Sequence, residues 1–553
     1  MTSVHEARRS TGLSSTADGR AVPTARQRLA PVLRDDDRLV SWAATAAVTA
    51  LAGFLRLWHL GGAHAFLFDE TYYAKDAWSL WHHGYVTNYT PDANVKILAG
   101  NLHGIFESSP SMVVHPEVGK WLIGLGEQVF GMDPFGWRIA SAVVGTLMIA
   151  VLVRVARRLT GSTLLGCVAG LLLCFDGMQL VLSRLALLDI YVAFFLLCAV
   201  ACLLVDRDWG RARLLHLVPA DVRVTASDWG PVRGLLWRPW RLAAGIFFGL
   251  ACGSKWNAIY PLAAFAVLVW IWDSGARRAI GVRSPRLRSL VADALPAFGY
   301  LVLVALVVYV LTWTGWLLHA GVYEKALSHN RYGPYWGSYL SADAHGFFPE
   351  LVRSLRSLWH YHQDVYAFHT RFLNSATHAY QSKPQGWLIL NRPVVVQADL
   401  GIKPGVQGCT APADSTCLRE EIILGTPALW WGGVLALLYA VYGWVAKRDW
   451  RFGVAVVGVV SSWLPWIPND ERPIFSYYAI TIIPFTVLAI VLCLGSLMGG
   501  PRASYGRRMW GTAVAGAFVV LVMVNFAYFW PIYTGQLIST PEELKRIWFR
   551  RWI

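Results

Sequence analysis

The chain has 553 residues, 55% of them apolar and only 15% charged, with a formal net charge of +15. This composition excludes an ordinary soluble enzyme or a disordered scaffold and points to a polytopic membrane protein. The basic excess does not point to nucleic acid, because its arginines cluster between apolar segments and not on a soluble domain.

In chain order, residues 1–38 are polar and lack the apolar core of a signal peptide, so a disordered cytoplasmic tail is expected. Apolar windows able to cross a hydrocarbon layer of about 30 Å follow. They lie near 39–59, 137–155, 163–181, 186–205, 242–257, 258–273, 292–318, 427–446, 452–468, 476–498 and 510–534. An all-α membrane body over 39–534 with about eleven spans is therefore expected, with 535–553 as an amphipathic tail. Arg-rich connections at 154–158, 207–241, 277–288, 447–451 and 502–508 alternate with connections of mixed or acidic charge. The positive-inside rule places the basic ones and the N-terminus in the cytoplasm of a plasma-membrane protein. The long connections 60–136 and 319–426 then face outward, and loops of that length are usually functional.

The first long connection carries "FDETYYAKDAWSLW", Phe68 to Trp81, a predicted helix over 70–83 preceded by an acidic pair. Asp69 is either the helix N-cap or a general base, and Glu70 is its immediate partner. A second interfacial helix opens at "HPEVGKWLIGLGEQVF", where His115 precedes Pro116. Arg138 stands at the outer start of the second span, as a snorkelling anchor or a phosphate ligand. Arg184 and Asp189 flank a short outward turn and are candidates to pair with each other, while Lys255 lies beside Trp256 and Asn257 at another. Ionisable groups at this depth are functional candidates by default. Gathered on one face, they suit an enzyme that handles a lipid-linked phosphate, and no nucleotide-binding glycine loop is present. Cys409 and Cys417 share an outward connection and are expected to form a disulfide. No metal-ligand spacing accompanies them, no cofactor is expected, and a need for a divalent metal is not legible.

The segments "FDETYYAKDA", "HPEVGKWL", "GWRIASAVVGTL", "LSRLALLDIYVAFFLL", "GSKWNAIYP", "QSKPQGWLILNRP" and "FSYYAITIIPF" occur in that order between Leu55 and Tyr533. In this the chain resembles the protein O-mannosyltransferases, multi-spanning glycosyltransferases of the GT-C type, in their bacterial, actinobacterial-type form. The resemblance implies that Asp69 and Glu70 match the family's acidic pair and Arg138 its arginine at the second span. It implies polyprenyl-phosphate mannose as donor, and as acceptors Ser or Thr hydroxyls of secreted polypeptides emerging from the secretion translocon. Asp69 would be the base of an inverting transfer, Glu70 would orient a substrate, and Arg138, Lys255 and Arg184 would meet the phosphate, with His115 and Asp189 nearby. Two departures stand out: Glu117 replaces the second proline of the eukaryotic H-P-P motif, and 319–426 is too short for the eukaryotic β-trefoil domain. The alternatives are a GT-C transferase acting on a lipid or cell-wall glycan, which "HPEVGK" and "SRLALLD" argue against, and a lipid-linked sugar transporter. A transporter would carry charges along a path through the membrane, not clustered on one side.

Overall fold

A computed structural model describes residues 25–218, 229–328, 346–500 and 503–552. Eight of its helices are long and apolar enough to cross a membrane, and three shorter apolar helices, Thr163–Cys174, Pro239–Cys252 and Ile483–Met498, pack among them. Each expected span has a helical counterpart. The windows 242–257 and 258–273 are separate helices, Pro239–Cys252 and Ile259–Ala279, because the chain turns at Gly253 and Lys255 is extended. Local chemistry sets the boundaries. Asp133 caps Pro134–Thr160 by accepting from the Gly136 N–H at 2.8 Å, with Pro134 in the first turn, and Gly161 ends that helix in the left-handed region at φ 79°.

At one end of the bundle the arginines of the basic connections are held in ion pairs. Arg238 and Arg241 share Asp206, Arg241 also reaches Asp273, and Arg277 binds Asp293. Of the expected disordered tail 1–38, residues 1–24 lie outside the described residues. The remainder is not free: Leu29 is buried, the Asp35 N–H donates to the Gly161 carbonyl, and Asp37 pairs with Arg157.

The two long connections gather at the other end. Glu70–His83 packs on Val118–Phe130, which in turn packs on Pro134–Thr160. Gly84 closes the first of these helices at φ 75°, and a Cβ there would stand 2.7 Å from the His319 ring, so glycine is required twice over. The stretch 86–115 contains the antiparallel strands β1 (Thr87–Tyr89) and β2 (Phe106–Pro110) and the helix Ala93–Leu98 between them. Both connections contribute to a small apolar core of their own, built from Leu80, Val86 and Val113 of the first and Tyr323 and Tyr361 of the second, with Trp316 just before the second. The Tyr323 hydroxyl accepts from the Val86 N–H at 2.9 Å, and the Tyr361 hydroxyl donates to the Val113 carbonyl at 3.0 Å.

Farther along, β3 (Val394–Ile402) and β4 (Cys417–Ile423) form an antiparallel hairpin whose loop is closed by the Cys409–Cys417 disulfide. The expected amphipathic tail does not lie free on a surface. Its β5 (Leu537–Ser539) is the third strand of that sheet, and the Trp552 indole N–H donates to the Leu390 carbonyl at 2.8 Å. Burying Trp552 and pairing β4 outweigh the surface attraction that its arginines alone would provide.

Candidate active site

Asp69 and Glu70 are adjacent but face different surroundings. The Glu70 carboxylate is completely buried and takes a two-pronged grip from Arg138, with Nε at 2.8 Å from Oε1 and Nη2 at 2.7 Å from Oε2. The backbone N–H groups of Leu67 and Ala186 donate to the same carboxylate at 2.9 and 3.0 Å. Arg138 fills its remaining valences with the carbonyls of Ala63 and Ala65, each at 2.9 Å. Arg184 likewise donates to the carbonyls of Arg56 and Trp58, at 3.1 and 2.6 Å. The two guanidinium groups therefore collect the carbonyls of the connection that leads from the first span to Asp69. Through these bonds Arg138 and Arg184 hold that connection in shape. The connection is strained: His59 and Phe68 hold φ values of 49° and 51° although neither is glycine.

Asp69 occupies the N-cap position of the helix Glu70–His83, and its carbonyl accepts from the N–H groups of Tyr72 and Tyr73. Its side chain makes no capping hydrogen bond. Capping therefore does not explain the carboxylate, which accepts no hydrogen bond among the described residues. Burial raises its pKa to about 6, Lys255 pulls it down and Asp189 pushes it up.

Asp189 does not pair with Arg184. It starts the helix Asp189–Leu217 and receives the Lys255 ammonium on both oxygens at 3.0 Å, and that ammonium stands 4.0 Å from the centre of the Tyr478 ring. The extended backbone at Lys255 turns its side chain into the bundle end, because the helix before it stops at Cys252.

His115 packs against Tyr73 and stacks on His369 with ring centres 5.8 Å apart. Burial, then the charge of Lys255, holds its pKa well below the ordinary value, so the ring is neutral. His369, pushed down to about 3 chiefly by burial, accepts a hydrogen bond at Nδ1 from Arg472 at 2.5 Å and carries its proton on Nε2. Glu117, the departure from H-P-P, accepts from the N–H groups of Gly315 and Trp316 at 2.9 and 3.2 Å and so ties the first connection to the segment that leads into the second.

Tyr73, His369, Arg472, Tyr477 and Tyr478 were not singled out from the sequence. Tyr73 had a usable signal, since a residue four beyond Asp69 lies on the same helical face. His369 and Arg472 come from separate connections and had none. Among the described residues no group of three or more His, Cys, Asp or Glu is arranged to hold a metal ion.

A half-buried carboxylate with no hydrogen bond among the described residues, just beyond the first span and near a Lys–Asp pair in a helical membrane body, fits a GT-C membrane glycosyltransferase. The fold agrees: over 94% of each chain it is similar to the Saccharomyces cerevisiae protein O-mannosyltransferase Pmt1–Pmt2 complex bound to the sugar donor, with a TM-score of 0.64 at 14% identity. Residues 46–218 match the dolichyl-phosphate-mannose-protein mannosyltransferase family, and residues 354–552 match the C-terminal four-transmembrane region of protein O-mannosyltransferases. A polyprenol-phosphate-mannose–protein mannosyltransferase of Mycobacterium tuberculosis is 37% identical over 523 residues, 93% of this chain and 92% of that one. One from Corynebacterium glutamicum is 32% identical over 517 residues, 93% of each. The chain belongs to the protein O-mannosyltransferase family.

Proposed function

We propose that the chain transfers mannose from polyprenyl-phosphate mannose to Ser or Thr hydroxyls of secreted proteins at the outer face of the plasma membrane. Asp69 is the general base. The observation that carries this reading is the Asp69 carboxylate itself: it sits beside Lys255 and Asp189, free of hydrogen bonds within the protein and held near pH 6 by burial. A base poised just below neutral pH is mostly ionised at pH 7 and still retains useful proton affinity.

In the proposed step the acceptor oxygen attacks C1 of the mannose from the face opposite the phosphate. The bond from C1 to the phosphate oxygen breaks, the hydroxyl proton passes to Asp69, and polyprenyl phosphate leaves with inversion at C1. The departing phosphate needs cations and little acid assistance. Lys255, which binds Asp189, and Arg472, which donates to His369, both lie near neutral His115 and suit this task better than Arg138, whose donors are engaged by Glu70 and backbone carbonyls. Glu70, Arg138 and Arg184 act through the backbone by fixing where Asp69 stands. The acceptors are unfolded chains, consistent with delivery from the secretion translocon. Mass spectrometry of secreted proteins from cells with and without the chain tests the reading. Hexose on Ser and Thr should disappear with the chain, and an unchanged set of modified peptides would refute it.

A further inference from the structure

A cavity of about 730 Å³ lies against the connection that carries Asp69. One wall is that connection, from His59 to Leu67, and Arg138 and Arg184 form its base. The opposite wall is one face of the disulfide-braced sheet. The register pairs Gln397 with Glu421 and Asp399 with Arg419, and all four residues line the cavity. Thr534 and Gly535, just before β5, complete the rim.

The chemistry of this lining limits its occupant. Leu60 and Leu67 are its only large aliphatic side chains, so a polyprenyl tail would meet mostly polar groups there. Donors and acceptors both line the walls: Arg419, His59 and His64 stand with Glu421 and with Asp399, which accepts from Gln397 at 3.1 Å. Glu421 is 5% exposed, and its carboxyl group has no hydrogen bond or ion pair among the described residues. Its carboxyl is left to water or to whatever enters the cavity it lines. A simple anion would satisfy only the donors and leave Glu421 without one. An extended polypeptide offers an N–H and a C=O at every residue and satisfies both kinds, and the volume lies in the range of ligand pockets.

We infer that this cavity is an exosite for the acceptor polypeptide, holding an extended segment that flanks the hydroxyl being mannosylated. The inference rests on the reading of the acceptor as a protein. The connection gripped by Arg138 and Arg184 lines the exosite and carries the base at Asp69, so a chain wrapping this connection occupies both.

The test compares two acceptors carrying the same central Thr, a peptide of about twenty residues and a tripeptide whose full extension is only about 10 Å. Transfer from polyprenyl-phosphate mannose is measured in nanodiscs for the unaltered chain, for the double variant Asp399→Ala/Arg419→Ala and for the isosteric variant Glu421→Gln. Thermal melting of each is recorded. The expected result is a rise of about tenfold in KM for the long peptide with kcat preserved, and no change in KM for the tripeptide. Equal changes for the two peptides, no change for either, or a raised KM for the donor lipid would overturn the exosite. Failure of the unaltered chain to mannosylate either peptide would instead remove the reading of function, and the exosite with it.

Discussion

Replacing Asp69 by Asn separates chemistry from architecture, because the structure gives its carboxylate no hydrogen bond to lose. Asn is nearly isosteric and is as good an N-cap as Asp, so the stability change should stay within about 0.5 kcal/mol, the scale of substitutions that remove no buried partner. The catalytic loss should be far larger. With a pKa of about 6, Asp69 is roughly nine-tenths ionised at pH 7, and Asn cannot take a proton at all. Losing a general base lowers turnover by about 10²- to 10⁴-fold, equivalent to roughly 3–5 kcal/mol in the barrier. The assay is single-turnover transfer of labelled mannose to a Thr peptide, in nanodiscs matched for folded protein, with melting temperature measured on the same samples. Near-normal turnover by Asp69→Asn would refute the assignment of the base. A turnover loss matched by a large drop in melting temperature would refute the claim that the carboxylate is structurally free.

The acid limb of the rate profile should have an apparent pKa of about 6, since the base must be ionised to act. Because Lys255 lowers the Asp69 pKa, Lys255→Met should move that limb to higher pH, and a limb that stays in place would disconnect Lys255 from Asp69. Glu70→Gln should instead destabilise the fold by about 3–5 kcal/mol, because Arg138 would be left as a buried unpaired charge, and a melting temperature equal to the parent's would contradict this. Removing the Cys409–Cys417 disulfide with serines should cost up to about 2.5 kcal/mol by the loop-entropy argument, read as increased proteolysis of the β3–β4 hairpin. A cysteine placed at position 95 or 350 should react with an impermeant maleimide on intact cells and one at 280 should not, and the reverse pattern would invert the proposed orientation.

Local signals made much of this molecule readable. The helix expected over 70–83 is Glu70–His83, because Asp69 and Gly84 bracket it in the sequence itself. The apolar windows found the helical spans for the same reason: lipid demands long internally bonded segments, and composition alone reveals them. Long-range pairing was not readable. Arg184 stands five residues from Asp189, yet Asp189 binds Lys255, 66 residues away, because the turn between them directs Arg184 toward the carbonyls after the first span. Nor did the adjacency of Asp69 and Glu70 reveal that one carboxylate is clamped and the other free. That difference depends on Arg138 and on the Ala186 N–H, and both arrive from other elements. The β5 strand was hidden by its own basic neighbours, which read as a surface segment until β4 supplied an edge to pair with.

The small apolar core shared by the two long connections has a consequence for how the protein breathes. Trp316, Tyr323 and Tyr361 stack closely there, with ring centres 4.2 and 4.1 Å apart, and the Glu117 carboxylate fastens the same corner. A layer with its own core opens as one cooperative unit and not residue by residue. In amide hydrogen exchange, the N–H groups of Val86, Gly315 and Trp316 would therefore become labelled together, at a common rate distinct from that of the helices beneath.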